Sequence, residues 1–151
     1  MEPAPTRTPS TTTTKPHRPL RTAGRLLLGA FLASAGIGHL TVLRQEFQAQ
    51  VPSWIPLAPD VVVVASGLVE VGLGAALILA PRVLRPAVGW ATAAFFVTIF
   101  PGNVAQYVER TDAFGLDSDN ARLVRLFFQP VLVAWALWAT GAWQAWRTRA
   151  A

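Results

Sequence analysis

Hydrophobic and polar positions along the chain sort into four long apolar runs, Leu26–Leu43, Val61–Ala80, Pro86–Val108 and Leu123–Trp146, separated by short polar stretches. Crossing a hydrocarbon layer about 30 Å thick takes roughly 20 residues of helix rising about 1.5 Å each. Runs two to four reach that length, and the first comes close before Arg44 ends it. Lipid offers no water to backbone N–H and C=O groups, so each run is predicted to be a helix. The short connection Pro81–Arg85 makes runs two and three antiparallel neighbours. The pattern therefore predicts an all-α protein: an up-down four-helix transmembrane bundle.

The flanking segments add detail. Residues 1–22, with their Thr, Pro and basic residues (TPSTTTTKPHRPL), read as a disordered cytoplasmic tail that has almost nothing to bury. Residues 23–147 then form the membrane domain. A signal peptide is the rival reading, with Leu26–Ala33 as its core and Ala33-Ser34-Ala35 as its cleavage site. The apolar stretch runs on to Leu43, which favours a retained span. The first loop, Arg44–Asp60, holds Pro52, Pro56 and Pro59 around Trp54. Trp54 is expected at the outer headgroup level, with a lid over a pocket as the alternative. The third connection carries Glu109, Asp112, Asp117 and Asp119, and reads as a solvated loop that attracts cations or a basic partner only as a second reading. Trp90, Trp143 and Trp146 suit an inner aromatic belt, Tyr107 marks an outer helix end, and Trp135 and Trp138 are placed deeper as packing residues.

Charge gives the orientation. Of 13 Lys and Arg, nine fall before the first run, in the second connection and at the C-terminus. Arg44, Arg110, Arg122 and Arg125 fall on the other side. By the positive-inside rule both termini are cytoplasmic and the protein sits in the cell membrane. The formal charge of +5 is thus a topology signal with some attraction to anionic headgroups, not a nucleic-acid footprint. Cysteine is absent, which excludes disulfides, thiol exchange and cluster ligation. The two histidines are His17 in the tail and His39 in the first run, and the sole methionine is Met1. One such chain cannot build a bis-His or His/Met haem, or a three-to-four-ligand zinc site. No metal site is expected, and no cofactor is identifiable from the residues.

Polar residues inside the runs are the candidates for function. Glu70 sits mid-span, where an acidic group costs about 2.5–3.5 kcal/mol, so it should face protein or water. Gly67 and Gly74 share its helical face and admit another helix closely. Gly72, Ala76 and Ala80 form a second small stripe, and Ala30, Ser34 and Gly38 repeat in the first run; both read as packing surfaces. In the third run Pro101 cannot bond the carbonyl of Val97 and predicts a kink, with Asn103 and Gln106 just beyond. In the fourth, Arg122, Arg125 and Gln129 share a face, and Pro130 frees the carbonyl of Leu126. At about 1.5 Å per residue, His39, Asn103 and Gln129 lie about 6–9 Å from the outer end and Glu70 about 14 Å. One outward-opening polar cavity floored by Glu70 and lined by His39, Asn103, Gln106, Arg125 and Gln129 accommodates them all. The bland reading is that the amides and His39 bond across helices and that Arg125 snorkels to the headgroups.

Four segments, Gly36-Ile-Gly-His39, Val51-Pro-Ser-Trp-Ile-Pro56, Ser66-Gly-Leu-Val-Glu70 and Phe100-Pro-Gly-Asn103, occur in an order and placement that resemble the DoxX-like family of small four-span bacterial membrane proteins. The resemblance covers about residues 24–146, and Pro-Gly-Asn stands where the family's Pro-Ala-Asn is expected. It implies a four-helix bundle and, through a family name tied to a membrane subunit of thiosulfate:quinone oxidoreductase, an accessory role near redox or assembly systems. Without cysteine this chain would not handle sulfur through a thiol. Three functions follow in order. The first is an accessory subunit binding a quinone-like or other small apolar ligand for a partner oxidoreductase, a quinone being the one candidate cofactor. The second is an assembly factor or structural partner without a ligand. The third is a small proton-coupled transporter subunit. Small-residue stripes permit a homo-oligomer, and the lipid bilayer is the surrounding partner in every case.

Overall fold

The computed structural model describes residues 18–115 and 117–150. Four helices are long and apolar enough to cross a membrane: α1 (Arg18–Leu40), α3 (Pro59–Leu79), α4 (Arg85–Val108) and α5 (Asp119–Thr140). Two shorter helices, α2 (Arg44–Gln48) and α6 (Ala142–Ala150), flank them, and no strand occurs among the described residues. The predicted bundle is the observed one, and the protein is a multi-pass membrane protein.

The predicted bounds move at three places. Helix α1 starts at Arg18, so residues 18–22 are helical and not tail; the rest of the predicted tail, 1–17, lies outside the described residues. It ends at Leu40, not Leu43, because the chain turns at Gly38–Leu43 and re-forms as α2. The fourth run is two helices. Gly141 adopts φ 75°, the left-handed geometry that glycine tolerates, and its N–H bonds the Trp138 carbonyl to close α5 before α6 begins. Ser118 opens α5, its hydroxyl accepting from the Ala121 N–H.

Helices α1 and α3 pack as one antiparallel pair, α4 and α5 as another, and α1 also reaches α5; α3 and α4, though consecutive, touch much less. Lipid tails are as apolar as leucine, so what holds the helices together is close packing and interhelical bonding rather than transfer from water. The α1–α3 pair is closest where glycines meet. A Cβ on Gly74 would lie 2.7 Å from the Gly29 carbonyl oxygen, and one on Gly67 would lie 2.7 Å from the Cβ of His39. Gly67 and Gly74 are therefore the packing face predicted from Glu70. The other two stripes are not. Gly72 has nothing within 4 Å, and Ala30 and Ser34 are exposed; α1 meets α3 through Gly29, Ala33 and Gly36 instead. The apolar core joins Leu28 and Leu32 of α1, Leu77 of α3, Ala93 and Phe96 of α4, and Leu132 and Ala136 of α5. Leu27, Leu68, Val97, Phe127 and Val131 point outward and are exposed, as a lipid-facing surface requires. Trp135 ties α5 to α1 by donating to the Gly24 carbonyl at 3.0 Å, while Trp138 stays half exposed against Gly24.

Candidate functional site

Both pairs of helices turn polar in the half nearer α2 and the 109–118 loop, here termed the distal end. On the first pair, Glu70 is 5% exposed and His39 6%. The ring is held on its Nδ1 side: Nδ1 is 2.8 Å from Ser66 Oγ, and that hydroxyl donates to the Val63 carbonyl at 3.0 Å. With the hydroxyl proton so engaged, Ser66 accepts from Nδ1–H, which fixes the tautomer and leaves Nε2 facing Glu70. Nε2 lies 3.6 Å from Glu70 Oε2, beyond a good hydrogen bond. Neither atom has a hydrogen-bond partner, although both are fully buried.

On the second pair a ladder of amides and one guanidinium runs inward. Arg125 donates through Nη2 to Gln50 Oε1 at 2.8 Å and through Nε to Asn103 Oδ1 at 3.2 Å. Asn103 donates to Gln129 Oε1 at 3.0 Å, and Gln129 donates to the Phe96 carbonyl at 2.6 Å. That carbonyl precedes the one that Pro101 leaves without its helix partner. Arg125 thus turns inward to the amides instead of snorkelling to the surface.

The two sets face one chamber of about 760 Å³. His39, Ser66 and Glu70 line it from α1 and α3, and Asn103, Arg125 and Gln129 from α4 and α5; Phe31, Leu32, Phe95, Phe96, Ile99, Phe128 and Leu132 supply apolar wall. Gln106 is the exception among the predicted residues. It is buried at 2% exposure but stands outside the chamber, its Nε2 donating to the Thr111 carbonyl at 3.4 Å to tie down the following loop.

The distal mouth is built by residues that periodicity did not mark. Helix α2 lays Phe47 on His39, ring centroids 3.4 Å apart, and Phe114 packs edge-on against Phe47 at 4.6 Å. Phe114 is held there by its own N–H, which bonds Glu46 Oε2 at 2.8 Å, and Arg125 lies 5.6 Å from its ring centroid. Val51, Pro52, Trp54 and Ile55 also line the chamber, so the 44–60 segment forms its rim, with Trp54 exposed. Arg44 clamps this segment by a two-pronged pair with Asp60, both bonds at 2.6 Å, and the carboxylate raises the Arg44 pKa above its ordinary value. The acidic loop is largely neutralised within the chain: buried Arg122 pairs with Asp112 and, at 2.9 Å, with Asp119.

Residues 28–140 match the family described as Domain of unknown function (DUF8561). The chain belongs to this family. No curated protein and no solved structure matches it. The DUF8561 stretch contains all six predicted site residues and the whole chamber wall from Phe31 to Leu132, while Arg21, Thr22 and Arg25 at the start of α1 precede it.

Proposed function

We propose that this protein is an accessory membrane subunit of DoxX-like build that holds a quinone-like or other small apolar ligand carrying a polar head. The observation that supports this most is the paired vacancy in bonding at the chamber floor. Burying a polar atom without a partner costs about 1–3 kcal/mol, and here two such atoms, His39 Nε2 and Glu70 Oε2, face each other 3.6 Å apart. A ligand hydroxyl, as on a quinol, would satisfy both by donating to Nε2 and accepting from a protonated Glu70 carboxyl, and a quinone carbonyl would satisfy Glu70 alone. The aromatic and aliphatic wall suits the remainder of such a molecule, and ligand chambers of about 300–1,000 Å³ are of ordinary size.

In this reading Glu70 and His39 bind the head and exchange a proton with it, with Ser66 keeping the imidazole in register. Asn103 and Gln129 orient the head from the opposite wall, and Phe47 and Phe114 close the mouth against water. Electron transfer belongs to a partner oxidoreductase in this reading, because a chain without cysteine has no thiol redox chemistry to offer. With both termini cytoplasmic, the mouth faces outward. The test is equilibrium binding of a decyl-tailed benzoquinone to the purified protein. Wild type binds saturably and Glu70→Gln weakens binding at least about tenfold, equivalent to about 1.4 kcal/mol. Equal binding by the two proteins overturns the reading.

A further inference from the structure

A second cavity, about 220 Å³, lies at the opposite end of the bundle, where α1 begins, α3 hands over to α4 and α5 ends. Its wall carries Arg21, Thr22, Arg25, Arg82, Arg85 and Thr140. Four guanidinium groups on one small cavity repel one another unless something negative stands among them. Among the described residues no acidic side chain provides it. Of the chain's eight acidic residues, Glu2 lies outside the described residues, Glu70 is on the chamber floor, and the other six (Glu46, Asp60, Glu109, Asp112, Asp117 and Asp119) belong to the distal end.

The partners that are present are neutral and leave most of the donors free. Arg21 reaches Gln144 of α6, Arg25 caps α3 by bonding the Leu77 and Ile78 carbonyls, and Arg85 bonds the Ala80 carbonyl at 3.3 Å. Each guanidinium has five N–H donors in a planar fork suited to phosphate. Arg25 is itself 5% exposed, and the Nε of Arg21 is buried without a partner. The surroundings set the depth. Exposed Leu79, Val83 and Leu84 adjoin Arg82, and Trp90, Trp143 and Trp146 lie at the same end of the helices, the level at which aromatic side chains meet headgroups.

We infer that this cavity is a binding site for a phosphate ester anion, with the headgroup of an anionic phospholipid as its source and the acyl chains lying along Leu79, Val83 and Leu84. Basic pockets between helix ends at a membrane surface take headgroups of this kind. Because Arg21, Arg25, Arg82 and Arg85 come from the start of α1 and the α3–α4 turn, a bound phosphate ties the start of α1 to that turn.

The experiment measures thermal unfolding and lipid retention in native mass spectrometry for the full chain in nanodiscs of phosphatidylcholine, with and without phosphatidylglycerol. Wild type retains phosphatidylglycerol and its Tm rises by several degrees, with no such gain from phosphatidylcholine alone. The Arg21→Gln/Arg82→Gln double variant binds at least tenfold more weakly. The Arg147→Gln/Arg149→Gln double variant, which removes equal charge from the same end but outside the cavity, binds as wild type. Arg82→Gln alone, at an exposed side chain with no bond to break, keeps the fold and shows a smaller loss. Stabilisation by inorganic phosphate but not by phosphatidylglycerol assigns the same site to a soluble phosphate ester. The inference is overturned if neither anion outbinds phosphatidylcholine, or if both double variants lose binding equally.

Discussion

Gly67 has no side chain because the Cβ of His39 and the Gly36 carbonyl occupy the place where one would stand. Adding a methyl group there forces α1 away from α3 or turns His39 out of line with Glu70, and overpacking of this kind costs about 1–3 kcal/mol. Gly72, one turn along and with open space around it, bears the same change freely. Gly67→Ala is expected to lower Tm in detergent by several degrees and to weaken decyl-benzoquinone binding, while Gly72→Ala moves neither measurably. The position of Glu70 and of its flanking glycines was legible in the sequence, since a mid-span carboxyl with small residues at i−3 and i+4 has few tolerable surroundings. The Ser66 contact that orients His39 was not legible. A serine on an apolar helix has no periodic mark, and only the approach of α1 to α3 decides what it meets. Gln106 shows the converse: three residues from Asn103 on the same helical face, it nevertheless turns to the Thr111 backbone, because the chain leaves the helix two residues later and its carbonyls need donors.

Among the elements, the 109–118 loop is organised by one buried cation. The Arg122 side chain is 5% exposed, whereas its partners Asp112 and Asp119 are 74% and 56% exposed. Removing the two sides of this network is therefore unequal. Asp112→Asn with Asp119→Asn strands a buried guanidinium and is expected to cost about 3 kcal/mol or more. Arg122→Met leaves two carboxylates that water already reaches and is expected to cost less than half as much. Chemical or thermal unfolding of the two variants in detergent checks the order, and an equal or reversed order refutes this account of the loop. The acidic residues are solvated as the sequence predicts, but their pairing with buried Arg122 was not legible, since nothing local says that a loop folds back on the helix that follows it. Helix α2 escaped for a similar reason. Five residues, Arg44–Gln48, are too few to show a helical period, and the element exists because Arg44 grips Asp60 and Phe47 lands on His39.

For the whole molecule, four spans and up-down order were readable from run length alone, because the bilayer fixes both helix length and backbone bonding. Orientation rests on the arginine asymmetry and has its own test. The chain contains no cysteine, so single substitutions report without background. An impermeant maleimide is expected to label Asp117→Cys in intact cells and Ser10→Cys only after permeabilisation; the opposite pattern inverts the topology and makes the chamber mouth cytoplasmic. The chamber itself was foreseen as a meeting of polar residues from four helices, but its aromatic closure and the arginine cavity at the other end were not. In a linear reading those arginines count only as a tally of positive charge, and their convergence depends on where α1, the α3–α4 turn and the end of α5 come together.

The direction of the bonds around the chamber has a mechanical consequence. His39, Ser66 and Glu70 interact within the α1–α3 hairpin, and Asn103, Gln129 and Phe96 within the α4–α5 hairpin. At mid-depth no polar tie is recorded across the seam between these halves among the described residues. The clasps are at the rim, where Gln50 meets Arg125, Glu46 meets the Phe114 N–H and Ser53 meets Glu109, and toward the opposite end, where Trp135 meets Gly24 and Arg21 meets Gln144. The interior can thus swell or narrow by sliding apolar surfaces alone, and under the function proposed above the bulk of a guest would be accommodated cheaply while its admission would turn on the fastenings at the lip.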